Sequence, residues 1–101
     1  MPFIKCPEEL KDCQSNYHLY VIAVPKRDKL LKFLKLKGVN AGIHYPLPCH
    51  LQKPYKKLGY KKGDFPIAEK LSETVLSLPM HTELTEDQLI YIVDSIKEFF
   101  L

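Results

Sequence analysis

Hydrophobic positions recur with two different periods along this chain, and the changes of period mark its elements. Residues 17–24 (YHLYVIAV) are rich in aromatic and β-branched residues, which predicts a strand that ends at Pro25. The next stretch has lysines on one side of a helical wheel and, on the other, Leu30, Phe33 and Leu34. This spacing predicts a helix from about Lys26 to Gly38, with the glycine in the left-handed position after its last turn.

The middle of the chain predicts two more short strands with a helix between them. Residues 40–45 (NAGIHY) form the second strand, and residues 51–60 can make one helical turn. Asp64 can accept the free amides of a new helix, and Pro66 suits its first turn because the missing N–H costs nothing there. Residues 74–79 (TVLSLP) predict the third strand.

A capping box of Thr85 and Gln88 predicts the start of the last helix. The side of this helix predicted to face the core consists of Leu89, Ile92, Val93, Ile96, Phe99 and Phe100. The predicted fold is therefore α+β, with β-α-β-α-β-α order and helices packed on a small sheet of about three strands. Residues 1–16 are expected to be a linker or lead-in to a domain at residues 17–101.

Composition excludes two classes of function. The chain has 101 residues, a net charge of +3 and no apolar run near the roughly 18 residues of a membrane span, so we expect no membrane insertion. Arg27 is the sole arginine among 15 basic residues, which argues against reading of nucleic-acid bases. The N-terminus has no signal-peptide pattern, and three cysteines without a CxxC motif favour reduced thiols and a cytoplasmic location.

Residues 42–55 (GIHYPLPCHLQKPY) concentrate the side chains that could carry chemistry. His44, Cys49 and His50 lack the spacing and the further partner of a zinc site, and adjacent Cys and His side chains rarely face each other as nucleophile and base. The histidines and tyrosines could simply fill gaps under a loop. Three prolines stiffen this loop, however, which also suits a preorganised site for a hydroxyl-rich ligand.

Three quoted stretches carry a family resemblance: YHLYVI, GVNAGIHYPLPCHLQKPY and LGYKKGDFPIAEKLSETVLSLPMHTELTEDQL. In order and spacing they resemble the C-terminal portion of the DegT/DnrJ/StrS family of pyridoxal-phosphate-dependent sugar aminotransferases. The resemblance runs from about Tyr17 to Leu101. It implies the small C-terminal domain of an aspartate-aminotransferase-type fold.

The resemblance also implies an enzyme of which this chain is one piece. Full-length members dimerise and transfer an amino group to a keto-sugar attached to a nucleotide, in amino-sugar and polysaccharide biosynthesis. Their cofactor lysine lies in a large N-terminal domain, and none of the lysines here lies in a similar segment. We therefore expect this chain to bind no pyridoxal phosphate and to have no activity alone.

The family's HYP stretch approaches the nucleotide-sugar, which implies substrate-binding roles for His44 and Tyr45, with His50 beside them. No residue of this chain is implied as catalytic or metal-binding. Because some members are called pleiotropic regulatory proteins, an alternative is a free-standing regulatory or interaction module with the same fold and no catalysis.

Overall fold

The computed structural model describes all 101 residues and has the α+β order that the sequence predicts, apart from one strand. Two short 3₁₀ helices, Cys49–Leu51 and Lys53–Leu58, lie in the middle of the chain. The other elements are β1 (Tyr20–Ala23), α1 (Arg27–Leu36), α2 (Pro66–Thr74), β2 (Val75–Leu78) and α3 (Glu86–Phe100).

The sheet has two strands rather than the predicted three. β1 and β2 are antiparallel, with Tyr20 opposite Leu78. The predicted strand at residues 40–45 is reduced to one bridge. In it the Gly42 amide donates to the Ser77 carbonyl at 3.0 Å, and the Ser77 amide donates to the Gly42 carbonyl at 2.7 Å. The prediction of a short strand was wrong because the chain bends at His44, directly after this bridge, and continues into the proline-rich loop, whose prolines have no N–H for a ladder.

β1 begins three residues later than the pattern predicts. Tyr17 has a left-handed φ of 48°, and its amide donates to the Ser15 hydroxyl at 3.0 Å. The His18 amide donates to the Asn16 side chain at 3.1 Å. These local side-chain bonds form a turn that competes with strand pairing, so the extended backbone starts at Tyr20.

Residues 1–16 contain no helix and no strand beyond a single bridge. That bridge joins Lys5 to Ala23 on the free edge of β1, with hydrogen bonds of 3.0 and 2.9 Å. The Phe3 ring lies 4.7 Å from the Phe100 ring at the end of α3. Ile4 also packs against the core, so the lead-in is anchored to the domain through the sheet, a helix and the core.

The end of α1 follows the predicted pattern. Gly38 has a φ of 78°, and the amide of Val39 donates to the Leu34 carbonyl at 2.8 Å. Only glycine adopts this left-handed position without cost, and the bond satisfies a carbonyl that the helix end would leave free. Leu34 and Val39 both lie in the core, so the turn also closes one side of it.

The start of α2 corrects one prediction. Pro66 occupies the first turn, as predicted, but the carboxylate of Asp64 accepts the amide of Lys61 at 2.8 Å instead of capping the helix. Phe65 is the residue that precedes the helix, and its amide donates to Glu69 at 3.1 Å. Asp64 already closes its own turn, so it does not cap α2, and Glu69 instead fixes the amide of the residue that precedes the helix.

α3 has the predicted start and a narrower buried face than predicted. Thr85 and Gln88 form both bonds of the capping box, at 3.2 and 3.0 Å. Ile92 and Ile96 are buried, whereas Leu89 and Val93 are each 44% exposed. Leu89 and Val93 thus lie at the margin of the buried face of α3. The core consists of Ile22, Val24, Leu30, Leu34, Val39, Leu76, Ile92 and Ile96.

The chain buries little of itself for its length. Its radius of gyration is 15.6 Å, compared with about 13 Å for a compact domain of 100 residues, and 14 of 101 residues are buried. No helix is long and apolar enough to cross a bilayer. A large share of the apolar side chains is consequently exposed, many of them around one cleft.

Candidate functional site

The cleft lies between the proline-rich loop, the two 3₁₀ helices and α2, and has a volume of about 560 Å³. Tyr45, Leu47, Tyr55, Tyr60, Phe65 and Leu71 give it a mainly apolar wall. His44 and His50 add imidazole groups to that wall. The structure therefore brings together all three residues that the resemblance implies for substrate binding, His44, Tyr45 and His50, in one concave surface.

His44 lies on the exposed part of the loop and is held by β2. Its Nδ1 is 2.8 Å from the hydroxyl of Ser77, a residue that is only 4% exposed. The backbone bonds between Ser77 and Gly42 fix the same segment two residues earlier. The strand thus holds both the backbone and the ring of the loop at this point.

Tyr45 is the most exposed aromatic residue of the cleft, with 70% of its surface accessible. Its ring meets the ring of His44 edge to face, with 5.4 Å between centroids. A tyrosine in this position offers an apolar ring face and a hydroxyl to a ligand or to a neighbouring domain.

His50 lies deeper, in the first 3₁₀ helix, and is 9% exposed. Its Nε2 is 3.3 Å from a carboxylate oxygen of Glu69 on α2. The Phe65 ring packs against the imidazole at 4.8 Å. These contacts hold the ring from two sides and connect the proline-rich loop to the helix.

Glu69 is the centre of the polar contacts under the cleft. One of its oxygens accepts the Gly63 amide at 2.7 Å, and the other accepts the Phe65 amide and approaches His50. The bond from Gly63, followed by those from Phe65 and His50, lowers the pKa of Glu69 below its ordinary value, although burial opposes the shift. Glu69 is therefore ionised under ordinary conditions and acts only as an acceptor.

Nowhere in the structure do three His, Cys, Asp or Glu side chains converge as a metal site would require. Cys49 is exposed, and the adjacent His50 directs its Nε2 to Glu69. This geometry supplies neither a zinc site nor a cysteine activated by the adjacent histidine.

The family model of the DegT/DnrJ/EryC1/StrS aminotransferases matches residues 2–97, nearly the whole chain. The chain belongs to this family. A Geobacillus stearothermophilus relative named "Pleiotropic regulatory protein" is 47% identical over 93% of this chain. A Streptomyces venezuelae dTDP-3-amino-3,4,6-trideoxy-alpha-D-glucose transaminase is 31% identical over 98% of it.

The fold is likewise that of solved family structures. The crystal structure of DesV from S. venezuelae superposes with a TM-score of 0.91 at 32% identity over 97% of this chain. The chain nevertheless spans only 25 to 26% of the length of these relatives. It corresponds to their C-terminal portion, as the sequence predicted.

The family uses pyridoxal phosphate, which its enzymes hold through a lysine. Such a lysine must be desolvated or placed beside a cation to react at neutral pH. Thirteen of the 14 lysines here are exposed, and Lys37 is paired with Glu98 at 2.6 Å. No lysine lines the cleft. Within this chain, therefore, no lysine has the surroundings that a cofactor lysine needs.

Two residues that hold the site had no signal in the sequence. Ser77 lies 33 positions from His44, and Glu69 lies 19 positions from His50. A serine in a strand and a glutamate in an amphipathic helix are ordinary in local pattern. Only the packing of β2 and α2 against the loop brings them to the histidines.

Proposed function

We propose that this chain is the C-terminal small domain of a pyridoxal-phosphate-dependent aminotransferase that acts on nucleotide-linked keto-sugars. In this role it supplies the substrate-binding residues His44, Tyr45 and His50 and no catalytic residue. The observation that supports the proposal best is their arrangement: two side-chain-anchored imidazoles and an exposed tyrosine surround one cleft of about 560 Å³ in a chain of this family.

The chemistry of the cleft suits a sugar attached to a larger group. Imidazole and phenol groups donate and accept hydrogen bonds, so they can bind sugar hydroxyls without the charge of an arginine or a lysine. The aromatic and aliphatic wall suits the apolar face of a sugar or base ring. We assign this chain orientation of the substrate and exclusion of water from one side of it.

The proposal places the cofactor lysine in the part of the polypeptide that precedes this domain. When bound there, pyridoxal phosphate supplies the electron sink for the transfer of the amino group. The exposed apolar wall is the surface that this large domain, or the second subunit of a dimer, would cover. Three free cysteines agree with a reducing, cytoplasmic location.

The name of the G. stearothermophilus relative supports a second candidate function, a regulatory module without catalysis. The two candidates predict different coding sequences directly upstream of this segment. An in-frame large domain with a cofactor lysine upstream supports the enzyme, whereas a stop codon directly upstream supports the free-standing module.

His44→Ala in a full-length protein that contains this sequence tests the proposal. Loss of one polar partner should lower kcat/KM for the nucleotide-sugar by about 5- to 150-fold, which corresponds to roughly 1 to 3 kcal/mol, and leave the cofactor spectrum unchanged. His81→Ala is the matched control, because His81 is exposed and outside the cleft. An unchanged kcat/KM in His44→Ala would refute the substrate-binding role.

A further inference from the structure

We propose that Ser77 and Glu69 are positioning residues that anchor the two cleft histidines at opposite ring nitrogens. As a result, His44 presents a hydrogen-bond donor to the cleft and His50 presents an acceptor. The consequence for a ligand rests on the proposed function, but the assignment of the ring protons depends only on the contacts of this chain.

The first half of the proposal comes from the buried hydroxyl of Ser77. Ser77 is 4% exposed, and the Nδ1 of His44, at 2.8 Å, is the one hydrogen-bond partner of its side chain. A buried hydroxyl without an acceptor is costly, so the Ser77 hydroxyl donates and Nδ1 accepts. The neutral ring of His44 then carries its proton on Nε2 and offers an N–H group to the cleft.

The second half comes from the carboxylate of Glu69, which already accepts the amides of Gly63 and Phe65. An ionised carboxylate cannot donate, so its contact with the Nε2 of His50 at 3.3 Å requires the proton on that nitrogen. Every fully buried side-chain nitrogen and oxygen in the structure has a hydrogen-bond partner. The Nδ1 of His50 has none, so this atom is not fully buried, and in the neutral ring it accepts. Because His50 lines the cleft, we assign this acceptor to the cleft.

Both histidines thus have the Nε2–H tautomer, yet the free ring nitrogen of His44 donates a hydrogen bond and that of His50 accepts one. A sugar hydroxyl satisfies either histidine, because it donates and accepts. A carbonyl or phosphate oxygen satisfies only His44, and an ammonium group satisfies only His50. The arrangement selects a ligand that offers an acceptor oxygen to His44 and a donor, such as a hydroxyl, to His50.

Long-range ¹H–¹⁵N spectra of the uniformly labelled chain test the proposal without any substrate. At about pH 8.5, above the range where histidine side chains generally titrate, we expect single Nε2–H tautomers for His44 and His50. The exposed His18 and His81 should show the averaged signals of two tautomers. A single Nδ1–H tautomer at either cleft histidine would overturn the proposal for that residue, and this result requires no variant.

Two variants separate positioning from general stability. Ser77→Ala should move the His44 signals alone toward the averaged pattern, and Glu69→Gln should do so for His50. Ser95→Ala is the matched control, because Ser95 is 3% exposed and bonds to the Tyr91 carbonyl away from the cleft. If Ser77→Ala keeps its amide spectrum and leaves His44 unchanged, Ser77 does not set the tautomer. Failure of the substrate-binding role in the full-length protein would leave these spectra as expected, so the two proposals fail separately.

Discussion

Replacement of Ile92 by alanine should lower the free energy of unfolding by about 2 to 3.5 kcal/mol. Ile92 is 7% exposed and belongs to the eight-residue core that α1, α3 and the sheet share. The change removes three carbons, and at about 0.8 kcal/mol per buried carbon the transfer cost is roughly 2.4 kcal/mol. The cavity that remains adds to this cost.

The groove beside Ile92 limits the cavity cost. Ile92 also lines a shallow groove of about 310 Å³ with Gly38, Val39 and Tyr91. Solvent and neighbouring side chains can enter part of the vacated space from this groove. We therefore expect a value in the lower part of the roughly 2 to 5 kcal/mol range measured for such substitutions.

Val93→Ala is the matched control for this measurement. It removes a β-branched residue from the same helix, so the gain in helix propensity is similar in both variants and cancels in the comparison. Val93 is 44% exposed, and its loss should cost under about 0.5 kcal/mol. Urea unfolding followed by circular dichroism gives both values. Equal costs for the two variants would show that the assigned core face of α3 is wrong.

Two further predictions concern buried polar contacts. Arg27→Lys should destabilise the chain by about 1 to 3 kcal/mol in urea unfolding. Arg27 is 6% exposed, and its guanidinium group binds the Ser72 and Val75 carbonyls at 2.8 Å each, a pair of bonds that one ammonium group cannot reproduce. No difference from an exposed Lys29→Ala control would contradict this role. Folding lowers the pKa of Glu69, so the ionised carboxylate stabilises the folded chain at pH values above the ordinary pKa of 4.5. This stabilisation is lost as the pH falls through the lower pKa of the folded state. The stability difference between wild type and Glu69→Gln should therefore shrink in acid. A stability difference that grows as the pH falls would contradict this prediction.

The sequence predicts elements best where their signals are local. The capping box of Thr85 and Gln88, the left-handed Gly38 and the proline at the start of α2 each depend on residues within one turn, and all three are confirmed. Asp64 failed as a cap because a competing local bond to Lys61 also satisfies it. Residues 40–45 failed as a strand because pairing with β2 stops at Gly42 and the chain then bends at His44 toward the proline-rich loop.

Hydrophobic patterns cannot tell a core face from an interface face. Leu89 and Val93 fit the helical period as well as Ile92 and Ile96 do, yet each is 44% exposed. A domain that packs against a further domain needs apolar residues on both kinds of surface. The pattern was therefore right about the helix and about four of the six core positions, and it predicted too wide a buried face.

The candidate site could be predicted only in part. The stiff loop and its three side chains were evident from the sequence, and the structure gathers them in one cleft. The two imidazoles are held by Ser77 and Glu69, which lie on β2 and α2 and are distant from them in sequence. Such contacts arise from tertiary packing and have no local motif.

The most direct test of the division of roles is to locate the cofactor lysine. A full-length protein that contains this sequence is treated with pyridoxal phosphate and borohydride, and the labelled peptide is identified by mass spectrometry. We predict one stoichiometrically labelled lysine outside this chain of 101 residues, and no stoichiometric label on the isolated chain. A fully labelled lysine within the chain would contradict the division of roles, and an unlabelled full-length protein would contradict the proposed enzyme.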